Sequence, residues 1–442
     1  MDMCRLTSHA RFTRPLLRLS FRLRFTLSEV ALLRIVCWFT GALLAVWPGV
    51  GSAQSPRPAP YLYVWAGDAD TLDSDFLAMI DVRPGSKTFA RVLTTVPVGA
   101  RATMPHHTEH QLENDRLLFA NGFAAGRTFR FDLTRPARPA LLGSFTELGG
   151  FSFPHSFVQL TSGHMLATFQ GRGARNIPPG GLVELNRQGR LVRATSARVG
   201  TVDSVQLRPY SLAVLPAIDR VVSTSTDMVE DFGAHLQIWR LSDLALLQTI
   251  ELPATAERDG HAHDATMKVK GEDHHLLPGE PRVMTDGRTV LLATFTCGYY
   301  RVTDIDGPRP RVDFLRAFGG ENCAVPVLVG AFWIQTVPDE HALVALDVSD
   351  PARPREVSRV VFDSTFKPHW MAHDKGGSRL IVNDAKTRLF LVNLDERTGQ
   401  LQVDASFRDA AAMLPGVSFA RPSWPHGATG PASPHGSVFS RP

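Results

Sequence analysis

Arg130-Phe131-Asp132-Leu133-Thr134-Arg135-Pro136-Ala137-Arg138-Pro139 and, far downstream, Ala345-Leu346-Asp347-Val348-Ser349-Asp350-Pro351-Ala352-Arg353-Pro354 are nearly the same phrase. Each is a short apolar run around one acidic residue, closed by a polar turn and followed by a second apolar run at residues 141–145 or 357–362. Such runs, with no helical period and with Pro and Asp between them, read as β-strands joined by tight turns. The same ending recurs at Met79-Ile80-Asp81-Val82, Leu182-Val183-Glu184-Leu185, Ile238-Trp239-Arg240-Leu241, Val302-Thr303-Asp304-Ile305 and Leu391-Val392-Asn393-Leu394. The last residues of the seven runs are 51, 52, 56, 64, 43 and 46 residues apart. Strands repeating at that period, with no amphipathic helix outside the first residues, predict an all-β, seven-bladed β-propeller.

The first unit is one strand short. It opens at Tyr61-Leu62-Tyr63-Val64-Trp65, which is already its second strand. A sheet edge left open invites mispairing, and the segment free to fill the gap is the tail around residues 434–440. The ring is therefore expected to close with the C-terminal strand.

The chain has 442 residues, more than one compact core usually holds, which a large repeat architecture accommodates. Its basic pI of about 9.0 suggests a nucleic-acid partner until the charge is located. Residues 1–53 carry seven Arg and only Asp2 and Glu29, so the remainder has 40 basic against 41 acidic residues. No nucleic-acid partner is expected. The Arg-rich stretch, the apolar run over residues 35–50 and the small Gly51-Ser52-Ala53 exit read as a signal peptide over 1–53, with an uncleaved N-terminal anchor as the alternative. The propeller then occupies 54–442, in a periplasmic or secreted location, with no stable membrane association if the leader is cleaved. Cys4 and Cys37 leave with the leader. Cys297 and Cys323 remain, either as one disulfide or with Cys323 as a buried thiol or soft metal ligand.

Five of the 16 histidines directly follow proline: His106, His155, His369, His426 and His435. Random placement would give about one such pair. Pro105-His106-His107, Pro154-His155-Ser156 and Pro368-His369-Trp370 open innermost strands at equivalent positions, and Pro434-His435-Gly436 falls where the missing strand of the first unit begins. The fourth unit carries Pro209-Tyr210-Ser211 there, and the sixth has Cys323 near that phase. Equivalent positions of a propeller lie at one height around the channel, so these imidazoles should converge. Imidazole is a good ligand for copper, zinc, iron and nickel. His106, His107, His155 and His435 are the expected metal ligands, with His369, His426 and Cys323 as possible additions. His261-Ala262-His263-Asp264 and His274-His275 could also clip a metal but read as a solvated loop. Glu109, Glu280 and Asp374 could orient ligands or act as a general base.

Met104-Pro105-His106-His107-Thr108, Phe153-Pro154-His155-Ser156, Leu236-Gln237-Ile238-Trp239-Arg240 and the tail from Gly430 to His435 resemble the selenium-binding protein family, which includes the methanethiol oxidases. The resemblance implies a seven-bladed propeller that uses copper to convert methanethiol, dioxygen and water to formaldehyde, hydrogen sulfide and hydrogen peroxide. It places the family's paired His on His106 and His107, its next His on His155 and its C-terminal His on His435. Two departures stand out. The family's cysteine-rich stretch after the His pair is replaced by His110-Gln111-Leu112-Glu113-Asn114, which takes away the support for selenium binding, and the residues after the C-terminal His are Gly436-Ser437-Val438.

The expected function is thus a copper-dependent oxidase of a small thiol, with dioxygen as co-substrate. Two alternatives stay open: a non-catalytic binding propeller with a structural metal, and a lactonase-type hydrolase. A hydrolase of that type needs a hard cation on oxygen ligands, so ligand chemistry separates the readings.

Overall fold

The computed structural model describes residues 57–112, 116–200, 207–228, 232–253, 276–410 and 412–442. The leader and His261, His263, Asp264, His274 and His275 lie outside the described residues.

Seven antiparallel sheets of four or five strands form the blades. Their innermost strands, from the first blade to the seventh, are Ala432–Phe439, Pro105–Thr108, Phe151–Gln159, Pro209–Leu215, Pro278–Val283, Val327–Val329 and Trp370–Asp374. These strands pack against one another in a closed circuit that lines the channel. The recurring apolar-acidic-apolar runs are the third strands, as at Phe76–Asp81, Arg127–Asp132 and Ala342–Asp347. Among the described residues the helical turns are short 3-10 segments such as Pro216–Ile218.

The sequence pattern produces this arrangement through burial on both faces. Side chains alternate across a strand, and a blade is covered on each side by a neighbour. Along Tyr61–Asp68, Leu62, Val64 and Ala66 join a cluster with the seventh blade, whereas Tyr63 and Trp65 join a cluster with the second. The described core divides into seven such clusters, one at each interface between neighbouring blades. The middle strands are therefore buried along almost their whole length, while outer strands such as Val92–Pro97 stay half-exposed.

The ring closes as expected. Ala432–Phe439 pairs antiparallel with Tyr61–Asp68, matching Leu62 to Phe439 and Ala66 to Pro434. Asp374 and Arg379 of the seventh blade, a buried ion pair at 2.5 Å, add a second lock on the first blade. The Asp374 carboxylate accepts from the Ala59 N–H, and Arg379 donates to the Ala59 and Val82 carbonyls. Asp374 therefore works as a structural clamp rather than at the candidate site.

Gly436 lets the closing strand come close enough. A Cβ there would lie 2.7 Å from the Thr108 N and 2.8 Å from the His106 O, both backbone atoms that cannot give way. Gly436→Ala should therefore destabilise the protein by about 1–3 kcal/mol, read as a lower urea midpoint with an unchanged slope. An unchanged midpoint would mean that the contact relaxes freely.

Candidate metal centre

In a regular strand His106 and His107 would point to opposite sides. They do not, because the inner strand is bulged. Pro105 pairs with Gly122 and Thr108 with Ala120, so His106 and His107 together face Asn121. Two residues against one is the definition of a β-bulge, a device that re-aims side chains. The same two-against-one step follows the proline in five blades: 155–156 against Thr168, 210–211 against Thr224, 279–280 against Ala293 and 435–436 against Trp65. Met104, Phe153 and Leu277, each just before its proline, take left-handed backbone angles of 56°, 58° and 62°. Non-glycine residues seldom do so, and such strain gathers at functional sites.

The result is a stack of rings at the axis. His106 and His107 lie parallel at 4.5 Å between centroids, with His155 at 4.1 Å from His107 and 5.0 Å from His106. His435 stacks on His106 at 4.2 Å, and His369 stands edge-on to His435 at 4.7 Å. Ligand nitrogens of His106, His107 and His155 all come within 4.8 Å of one another. These three are buried, as is His435.

The protonation state suits a metal. Burial, together with the neighbouring imidazoles, holds His106, His107 and His435 well below the usual histidine range. Burial takes His155 down to about 4, against the opposing effects of Glu280 and the Tyr210 carbonyl. The rings are neutral at pH 7, so each keeps a nitrogen lone pair. His155 Nδ1 donates to the Tyr210 carbonyl at 2.8 Å, which leaves Nε2 as the unprotonated nitrogen. That atom is buried without a hydrogen-bond partner, as are His106 Nδ1 and His435 Nδ1. Buried polar atoms are ordinarily paired, and unpaired nitrogens on neighbouring buried imidazoles are what a metal ion would satisfy.

A second group lies against the first. His107, His110 and Glu280 also bring ligand atoms within 4.8 Å of one another. Glu280 Oε2 accepts from Ser211 at 2.6 Å and from Arg282 at 2.9 Å, and lies 3.3 Å from His110 Nε2. Burial would raise this carboxyl, but Arg282, His110 and Ser211 outweigh it and keep Glu280 ionised. Two cavities flank the cluster. His106, Tyr210, His369 and Phe295 line one of about 440 Å³, and His110 and Arg282 line the other, of about 310 Å³.

Against this geometry the relatives can be compared. The chain is 28% identical over 217 residues to a methanethiol oxidase of Hyphomicrobium sp, covering 44% of this chain and 48% of that protein. It is 32% identical over 142 residues to the methanethiol oxidase of Ruegeria pomeroyi, covering 30% and 31%. Selenium-binding protein 2 of Arabidopsis thaliana matches at 23% over 324 residues, covering 59% and 64%. The chain is similar to the methanethiol oxidases and selenium-binding proteins. The matches span about half the length of the first of these relatives. No protein-family model matches. Among solved structures, a hypothetical selenium-binding protein of Sulfolobus tokodaii superposes with a TM-score of 0.67 at 15% identity, covering 87% of this chain and 94% of that one. A periplasmic gluconolactonase of Pseudomonas aeruginosa gives 0.57 at 16%, covering 86% and 99%. At these identities the structural likeness is one of fold.

Several of the possible additional residues have other surroundings. Cys323 is disulfide-bonded to Cys297 and offers no thiolate, so it is not a ligand. His426 sits at the outer side of the first blade, its Nδ1 2.7 Å from Thr95 Oγ1 and its ring against Phe76, because its Pro-His pair lies outside any inner strand. His369 stands edge-on to His435 and faces the larger cavity. Glu109 Oε1 accepts from the Phe119 N–H, a structural task. The sequence marks neither His110 nor Arg282 as a site residue, and it marks Tyr210 only by its Pro-Tyr at the Pro-His phase.

The buried imidazoles fix a pH dependence. His155 binds a proton near its ordinary value of 6.5 once unfolded, but only near 4 when folded. Falling pH therefore favours the unfolded chain through this window, and stability is fully present above it. The unfolding free energy of metal-free protein, read from urea titrations, should fall between about pH 6.5 and pH 4, by on the order of 3 kcal/mol for His155 alone. A flat profile across that window would contradict the neutral cluster.

Proposed function

We propose that this protein is a copper-dependent oxidase of a small thiol, similar in reaction to methanethiol oxidase. The observation that carries the reading is the set of neutral, unpaired imidazole nitrogens on His106, His155 and His435 around the channel axis. Nitrogen donors of this kind suit copper, whereas a lactonase-type cation would call for oxygen ligands. The one carboxylate in either ligand group, Glu280, is already ion-paired to Arg282.

His106, His107 and His155 would hold the metal, with His435 beside them. Copper held there would supply one-electron chemistry with dioxygen and a soft site for thiolate sulfur. The chain's own residues define the rest. Tyr210, Phe295, Leu277 and Met228 give the larger cavity an apolar side against which a small thiol could rest. His369, held near 4 by burial, offers that cavity a neutral acceptor for an S–H group. Burial keeps the Tyr210 phenol protonated, as a donor 3.5 Å from His107 Nε2. The overall conversion takes methanethiol, dioxygen and water to formaldehyde, hydrogen sulfide and hydrogen peroxide, which balances in atoms and electrons. The Cys297–Cys323 disulfide supports an oxidising compartment and therefore an exported protein.

Metal analysis on periplasmically matured protein should give about one copper per chain, lost in the His106→Ala, His155→Ala double variant. Wild-type protein should then consume dioxygen on addition of methanethiol, and the variant should not. Copper that is absent, or indifferent to these histidines, would overturn the oxidase reading.

A further inference from the structure

The group formed by His107, His110 and Glu280 has the make-up of a metal site in its own right, two imidazoles and a carboxylate. Glu280 is 2% exposed, and its Oε1 is buried without a hydrogen-bond partner, as is His110 Nδ1. A cation is nevertheless already there. Arg282 leaves the inner strand of the fifth blade and donates from Nη1 to Glu280 Oε2 at 2.9 Å. Its Nη2 donates to the Pro326 carbonyl beside the sixth blade at 2.9 Å and lies 3.3 Å from His110 Nε2, which follows the inner strand of the second. The guanidinium thus spans the channel between three blades. Its planar fork and permanent charge suit that position, and its positive field opposes a divalent ion at the same point.

We propose that Arg282 is a built-in cation that keeps the His107–His110–Glu280 group free of metal and so restricts the channel to the single ion of the neighbouring imidazole cluster. Wherever the neighbouring imidazole cluster is loaded, Arg282 sets how many ions the channel holds. The proposal rests on the preceding reading only for the identity of the first ion.

The test counts cobalt(II) bound per chain after dialysis, by mass spectrometry. In a His155→Ala background, which disables the first cluster, Arg282→Met should raise the count from near zero to about one, and His110→Ala added to it should remove that ion again. Cobalt should also raise the melting temperature of the Arg282→Met protein, since it replaces the lost partner of Glu280. Should Arg282→Met not fold, His110→Ala in the wild type decides. The proposal requires an unchanged count, and a fall from about two to about one would overturn it. No gain of cobalt in a folded Arg282→Met protein would overturn it as well. A wild type that binds no metal, beside an Arg282→Met protein that gains one, would sink the oxidase reading and uphold this one.

Discussion

Asn121 accepts from the His107 N–H with one end of its amide and donates to the Pro154 carbonyl of the next blade with the other, and the channel rests on that exchange and its counterparts. A bulge leaves an inner-strand N–H without its ladder partner. In the third blade Thr168 accepts from the Ser156 N–H and donates to the Tyr210 carbonyl. In the fourth, Thr224 accepts from Ser211 and donates to the Gly279 carbonyl. Asn383 of the seventh donates to the His435 carbonyl of the first. The first three relays each satisfy a buried inner-strand N–H that would otherwise cost about 1–3 kcal/mol, and all four tie one blade to the next. The imidazoles meet because these short polar side chains set a common level.

Where no relay of this kind exists, the chain uses something else. Ala293 stands at the bulge of the fifth blade and cannot bridge. There Arg282 reaches across to the Pro326 carbonyl, and the Cys297–Cys323 disulfide joins the fifth blade to the segment leading into the sixth. This interface, which lacks the side-chain relay, thus carries a covalent link and a partly buried guanidinium.

The blade count, the closing tail and the positions of His106, His107, His155 and His435 were legible because a repeat makes one unit explain another. Once third strands are aligned, equivalent inner positions follow by counting. The rest depended on departures from the repeat. Glu280 falls at the phase of His107, yet its unit reads Pro278-Gly279-Glu280, and without the bulge in view a carboxylate one place along looks like a rim residue. His110 and Arg282 lie past the positions the repeat equates, and only the closed ring brings them together. His426 misled for the opposite reason, since the Pro-His dipeptide carries meaning only where an inner strand begins. For Cys297 and Cys323 the spacing of 26 residues decided nothing until the fold set their Cα atoms 5.0 Å apart.

The closing strand also imposes an order in time. His106, His107 and His155 emerge from the ribosome early, and His435 emerges only after the other six blades have been made. Until then the first blade lacks its inner strand, and the side of His106 on which His435 stacks lies open to water. An incomplete chain would expose ordinary, protonatable histidines, with ordinary affinity for protons and for stray metal. The finished ring converts the same residues into a dry, neutral pocket. Completion of translation is therefore coupled to the chemistry of the channel, which becomes selective only once the chain is long enough to close on itself.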